Sequence, residues 1–125
     1  MVVFTDGQPD RKLYRRFKIR SHERIDDYAS MREALSRRLK RTEWDFPDLI
    51  VLDGGKGQLF AVLPLLADIG SNITLVAIAK ENEEIFTISS PNPLSLPKRS
   101  YALRLLQRLR DEAHRFANDY RKRLG

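Results

Sequence analysis

Leu49-Ile50-Val51-Leu52-Asp53-Gly54-Gly55-Lys56-Gly57-Gln58 is the stretch on which the fold of this chain turns. Four consecutive apolar residues without alternation signal a strand buried on both faces, and hence a parallel one. That strand ends in a carboxylate and runs straight into glycines. The carboxyl ends of strands are where open α/β sheets place ligands and chemistry. Residues 58–67 then read as a helix, with Pro64 as a possible kink and Gly70 as its stop. Residues 73–79 form a second unbroken apolar run, so 49–79 is a βαβ unit.

Working outward, residues 1–4 are apolar and Thr5-Asp6-Gly7-Gln8-Pro9-Asp10 is a turn cluster around an Asp-Gly pair. Residues 13–19 alternate loosely, with Leu13, Arg15, Phe17 and Ile19 on one face, which predicts a second strand antiparallel to the first. Asp26-Asp27 opens a helix, because acids suit the positive end of the helix dipole. Tyr28, Met31, Leu35 and Leu39 give that helix its apolar stripe, and Arg37, Arg38, Lys40 and Arg41 suit its negative end. Beyond the βαβ unit, residues 85–88 are a short strand or hairpin arm. Residues 89–97, with three prolines, are a loop. Ser100 caps a final helix running from 101 to about 123. The order is β-β-α-β-α-β-(β)-α, one domain over residues 1–125.

The net charge of +6 matters less than its location. Residues 1–97 hold 14 basic and 14 acidic residues, so they balance. The last 28 residues hold nine basic residues against Asp111, Glu112 and Asp119, which accounts for the whole excess. A localised basic element is the footprint of a phosphate-backbone binder, although a solvated helix rich in arginine would give the same count. There is no cysteine, hence no disulfide framework and no thiolate chemistry. No apolar run approaches the roughly 20 residues needed to span a bilayer, and the N-terminus has no signal-peptide pattern. The chain reads as cytoplasmic, with no membrane partner.

Two motifs carry chemistry. Asp53-Gly54-Gly55-Lys56-Gly57-Gln58 is neither a Walker A loop nor a dinucleotide fingerprint, because Lys56 is followed by Gly57 and no G-x-G-x-x-G is present. What remains is a carboxylate able to hold a hard divalent cation, a lysine able to sit on phosphate, and close backbone approach. A tight turn with a solvated Asp is the plain alternative. On the final helix, Ala102, Leu105, Leu109, Ala113, Phe116 and Tyr120 gather into one apolar stripe. Gln107, Arg110, Asp111 and His114 gather into another, polar one. His114 therefore projects from a polar face, as an orienting partner or phosphate contact should, or as an ordinary surface histidine. Asp26 and Asp27 are a further source of carboxylate, although capping alone explains acids at a helix start. Asp53 and His114 ringed by arginines are what metal-assisted attack on a nucleic-acid phosphate requires.

Several blocks together resemble one family. Val2-Val3-Phe4, Tyr14-Arg15-Arg16-Phe17, Asp26-Asp27-Tyr28-Ala29-Ser30-Met31-Arg32-Glu33, residues 47–59 and residues 105–117 are similar to the endonuclease domain of UvrC. UvrC is the incision subunit of bacterial nucleotide excision repair. The resemblance covers nearly the whole chain. It implies an RNase H-like α/β fold, a mixed sheet with flanking helices, and a Mg²⁺- or Mn²⁺-dependent phosphodiesterase that cuts 5′ to a lesion. It implies damaged double-stranded DNA as substrate, with UvrB, and UvrA upstream of it, as partners. By resemblance, Asp53 is the strand-end catalytic and metal-binding aspartate and His114 the catalytic histidine. Asp26 or Asp27 matches an acidic position, and the resemblance does not choose between them. Lys56, Arg110 and Arg115 are the expected DNA contacts.

The chain also departs from the family pattern. The family's first catalytic aspartate lies on an upstream strand in a motif like Phe-Asp-Ile-Ser-His, which is nowhere in these 125 residues. That strand is central in an RNase H-like sheet, between the hairpin and the strand ending at Asp53. Its absence makes the chain resemble an excerpt, expected to be inactive alone. The rival reading is a non-catalytic DNA-binding or assembly module on the same scaffold.

Overall fold

The computed structural model describes residues 1–14, 27–40, 47–67, 73–79 and 84–124. These residues belong to two compact units, Met1–Phe17 with Leu96–Gly125, and Lys18–Ser95.

The unit Lys18–Ser95 is built on the predicted βαβ element. β3 (Leu49–Asp53) pairs in parallel with β4 (Thr74–Ile78), in a register that sets Leu52 opposite Ala77 and Asp53 opposite Ile78. α2 (Lys56–Ala67) makes the crossover, and β5 (Ile85–Thr87) adds to the far side of β4 in antiparallel fashion. The order β3-β4-β5 is thus a mixed sheet. Alternate side chains explain its packing. Ile50, Leu52, Leu75, Ala77 and Phe86 lie in one cluster with Leu59, Val62 and Leu66 of α2. Met31, Leu35 and Leu39 of α1 (Asp27–Leu39) join the same cluster. Leu59, Val62 and Ala77 are sealed from solvent completely. Truncating Leu59 to alanine would cost about 2–5 kcal/mol, the usual range for a leucine lost from a packed core.

Pro64 does not end α2, which runs through it to Ala67 with Pro64 on the exposed side. The proline costs one rung of the backbone ladder, and the buried stripe of Leu59, Val62 and Leu66 holds the helix across it. β3 departs from the sequence expectation of burial on both faces. Only Leu52 is buried, while Leu49 is 40% exposed. The reason is alternation: Ile50 and Leu52 face the cluster with α2, whereas Leu49 and Val51 fall on the opposite face and are not part of that cluster.

The unit of Met1–Phe17 with Leu96–Gly125 contains a hairpin and the long C-terminal helix. β1 (Phe4–Thr5) pairs antiparallel with β2 (Gln8–Pro9) across Asp6 and Gly7, both at positive φ (53° and 80°). An Asp-Gly pair in that geometry closes a two-residue hairpin whose twist matches its strands. Among the described residues the partner of the first strand is residues 8–9. Leu13 ends a 3₁₀ turn, Arg11–Leu13, and residues 15–19 lie outside the described residues. The expected helix stop at Gly70 and the basic Arg41 lie outside them as well.

α3 (Tyr101–Leu124) begins where the sequence places it, with the Ser100 Oγ accepting a hydrogen bond from the Leu103 N–H at 3.2 Å. Its deepest burial, however, falls on Leu103 and Leu106 rather than on the predicted stripe. Ala102 is exposed, and Leu105, Leu109, Ala113 and Phe116 are half-buried. Adjacent leucines at 105 and 106 offer two overlapping apolar faces one residue, or about 100°, apart. Burial is centred on the second. Tyr28 and Tyr120, also expected in apolar stripes, fall outside the residues whose side chains are described.

Candidate functional site

Asp53 is the last residue of β3 and its side chain is exposed, at the carboxyl end of the parallel pair. The backbone that follows is tied twice. The Gly54 N–H donates to the Ile78 carbonyl at 3.0 Å, extending the β3–β4 ladder one residue past the strand. The Gly55 N–H donates to the Gln58 Oε1 at 2.9 Å. The Gly55 carbonyl in turn accepts from the Leu59 N–H, the first rung of α2. Gly55 is thus the N-cap of α2 and Gln58 its third residue, and a glutamine there reaches back to the N-cap amide as in a capping box. Gly54 sits at φ 156°, and a Cβ there would overlap the Gln58 side chain, with Cγ and Nε2 at 2.7 and 2.8 Å.

Lys56, the first residue of α2, is exposed. Its Nζ donates to the Pro91 carbonyl at 3.1 Å and stands 5.8 Å from the centre of the Phe60 ring. The proline-rich loop is anchored beside it by paired hydrogen bonds between Ile85 and Leu94.

His114, Arg110 and Arg115 belong to α3, in the other unit. His114 is half-buried. Arg110, expected on a solvated face, retains only 12% side-chain exposure; its Nε lies 3.7 Å from an Asp111 oxygen and its Nη1 is buried without a hydrogen-bond partner. It continues the line of Leu103 and Leu106, and its aliphatic stem can follow apolar neighbours inward. Arg115 is half-exposed and grips Glu112 with two bonds, Nε to Oε1 at 2.6 Å and Nη2 to Oε2 at 3.0 Å. Glu112 also accepts from the Tyr14 hydroxyl at 2.7 Å, while Phe116 packs edge-on against the Tyr14 ring at 5.2 Å. Hydrogen bonds from Arg115 and then Tyr14 hold the Glu112 carboxyl down at about 2. Burial, and then the Glu112 carboxylate, push the Tyr14 phenol up to about 12. Arg108 donates to the Gly7 carbonyl at 3.1 Å and lies over the Phe4 ring at 5.3 Å, fastening the hairpin to the helix.

Sequence reasoning missed Tyr14, Glu112 and Gln58 as organising residues. The spacing of Gly55 and Gln58 was a usable signal for the last of these. No local pattern announces a contact between Tyr14 and Glu112. Asp26 lies outside the described residues, and Asp27 is the first residue of α1. Among the described residues no three His, Asp or Glu side chains converge into a set that would hold a metal ion. Asp53 offers a hard oxygen donor of the type Mg²⁺ and Mn²⁺ prefer, so it fits as one member of such a set. No helix among the described residues is long and apolar enough to cross a membrane.

The arrangement defines a mixed α/β domain with a carboxylate at the carboxyl end of a parallel strand and a basic helix bearing a histidine. A family model described as the UvrC RNAse H endonuclease domain matches residues 1–118. Three similar proteins are each named UvrABC system protein C. That of Chlorobaculum tepidum is 46% identical over 99% of this chain and 20% of its own length. That of Treponema pallidum is 51% identical over 94% of the chain and 17% of its own length. That of a Synechococcus species is 53% identical over 93% of the chain and 20% of its own length. The chain belongs to the UvrC RNase H endonuclease domain family, and it spans about a fifth of the curated relatives it matches.

Proposed function

We propose that, in the full-length protein carrying these residues, this domain makes a metal-dependent phosphodiester incision 5′ to a lesion in double-stranded DNA. The observation that carries the reading is Asp53, an exposed carboxylate on a doubly tied strand end, in a chain that belongs to an endonuclease family. UvrB, with UvrA upstream of it, are the protein partners this reading calls for, and the cytoplasm is the compartment. Asp53 would hold Mg²⁺ or Mn²⁺, with Asp26 or Asp27 as accessory acid. Such an ion, when bound, polarises the scissile phosphate and eases deprotonation of water. His114 serves proton transfer at the phosphate oxygens. Lys56, Arg110 and Arg115 contact phosphates, and such contacts fix position without reading sequence.

The test is Asp53→Asn in the full-length protein, assayed with UvrA and UvrB on a duplex carrying one defined lesion. Incision should fall by about 100-fold or more, since metal polarisation is worth several kcal/mol at about 1.4 kcal/mol per tenfold. DNA binding should persist. Retained incision would refute the site. Binding without metal-dependent cutting in the unmutated protein would favour the non-catalytic module.

A further inference from the structure

We infer that Gln58 is a positioning residue for Asp53, acting through the Gly54-Gly55 backbone rather than by touching substrate; the inference rests on the reading of Asp53 as a working carboxylate. Three observations converge on it. Both peptide N–H groups after Asp53 are engaged, Gly54 with the Ile78 carbonyl of the sheet and Gly55 with the Gln58 Oε1. The N-cap of α2 is a glycine, which has no side chain of its own to close the helix start, so Gln58 is the side chain that does so. The space beside Gly54 that any other residue's Cβ would need is occupied by the Gln58 amide. Glycines directly after a strand would ordinarily leave its last side chain loosely placed. A carboxylate serving a metal must be held within about 0.5 Å of its productive position. Gln58 removes that freedom by pinning the turn from the helix side, while Ile78 pins it from the sheet side.

The experiment compares Gln58→Leu, Gln58→Glu, Gly54→Ala and Asp53→Asn in the full-length protein. Mn²⁺ binding is followed by electron paramagnetic resonance of the free ion, and melting temperature is followed alongside. Leucine fills the same volume without an acceptor, whereas glutamate keeps the oxygen that receives the Gly55 N–H. Gln58→Leu should weaken Mn²⁺ binding about 10- to 100-fold, the usual loss when a residue supporting a metal ligand is removed. Gln58→Glu should stay within about threefold of the unmutated protein. Gly54→Ala, whose new Cβ displaces the Gln58 amide, should reproduce the Gln58→Leu loss. The Gly54→Ala/Gln58→Leu double variant should be no worse than the poorer single, because both break one contact.

Unchanged Mn²⁺ affinity in Gln58→Leu, with or without a lower melting temperature, would overturn the inference and leave Gln58 as an ordinary helix cap. So would equal losses in the leucine and glutamate variants. If Gln58→Leu does not fold, Gly54→Ala decides by the same readout. Failure of the underlying site reading has its own signature: Asp53→Asn would bind Mn²⁺ as the unmutated protein does.

Discussion

Tyr14 and Glu112 stand 98 positions apart in the chain and share a 2.7 Å hydrogen bond that joins the N-terminal segment to the middle of α3. Arg115 holds the other side of the same carboxylate, and Phe116 packs on the Tyr14 ring. The bond to a charged acceptor should make Tyr14→Phe destabilising by about 1.5–3 kcal/mol, with packing otherwise preserved. Urea unfolding of the two proteins side by side measures this; a difference below about 0.5 kcal/mol would show that the hydroxyl does not matter.

The same trio predicts a pH window. Glu112, lowered from 4.5 to about 2, contributes stability that is complete above its unfolded value and is lost as pH falls toward about 2. Tyr14, raised from 10.0 to about 12, contributes stability that is complete below its unfolded value and is lost as pH rises through about 12. Melting temperature should therefore decline on the acid side below about pH 4.5 and on the alkaline side above about pH 10. Glu112→Gln should flatten the acid limb specifically. An unaltered acid limb in that variant would assign the loss to other carboxylates.

Arg110 separates stability from binding. Its guanidinium is largely buried, with Nη1 unpartnered, so Arg110→Met should leave the melting temperature unchanged or raise it. Arg110→Ala, which also removes the packed stem, should lower it. If Arg110 contacts DNA phosphate, both variants should reduce the slope of log affinity against log salt by about one, for all DNA sequences alike. A change in sequence preference with the slope intact would exclude a backbone contact.

The hairpin offers a steric test. Gly7 has φ 80°, and a Cβ there would come 2.6 Å from the Tyr101 hydroxyl oxygen. Gly7→Ala should cost about 1–2 kcal/mol through left-handed backbone strain and that contact. Pairing it with Tyr101→Phe should recover part of the loss, as calorimetry of the four proteins would report. Full additivity would mean the hydroxyl is not the obstacle.

The parts of the fold legible in the sequence were those with strong local signals. Unbroken apolar runs marked β3 and β4, a polar-capped periodic segment marked α3, and Asp53 was visible as the residue where an apolar strand meets glycine. What stayed hidden depends on choices between near-equal local options. Residues 5–10 read as a turn cluster, yet the Asp6-Gly7 turn is tight enough to bring residues 8–9 into a strand pair with residues 4–5. Leu105 and Leu106 offer two helix faces, and only tertiary packing chooses between them. Arg110 reads as polar by type, yet its position leaves its side chain only 12% exposed. The family resemblance added roles for Asp53 and His114 that residue types alone left open, and the match to residues 1–118 establishes the family itself.

The central proposal is that Asp53 and His114 both serve the incision reaction. Single-turnover incision of lesion-bearing DNA by Asp53→Asn, His114→Ala and the double variant of the full-length protein tests it directly. Residues that work as a unit lose most of their effect together, so the double variant should cut about as slowly as the slower single variant. Two losses that multiply would place the residues in separate steps, and unimpaired cutting by either single variant would contradict the account outright.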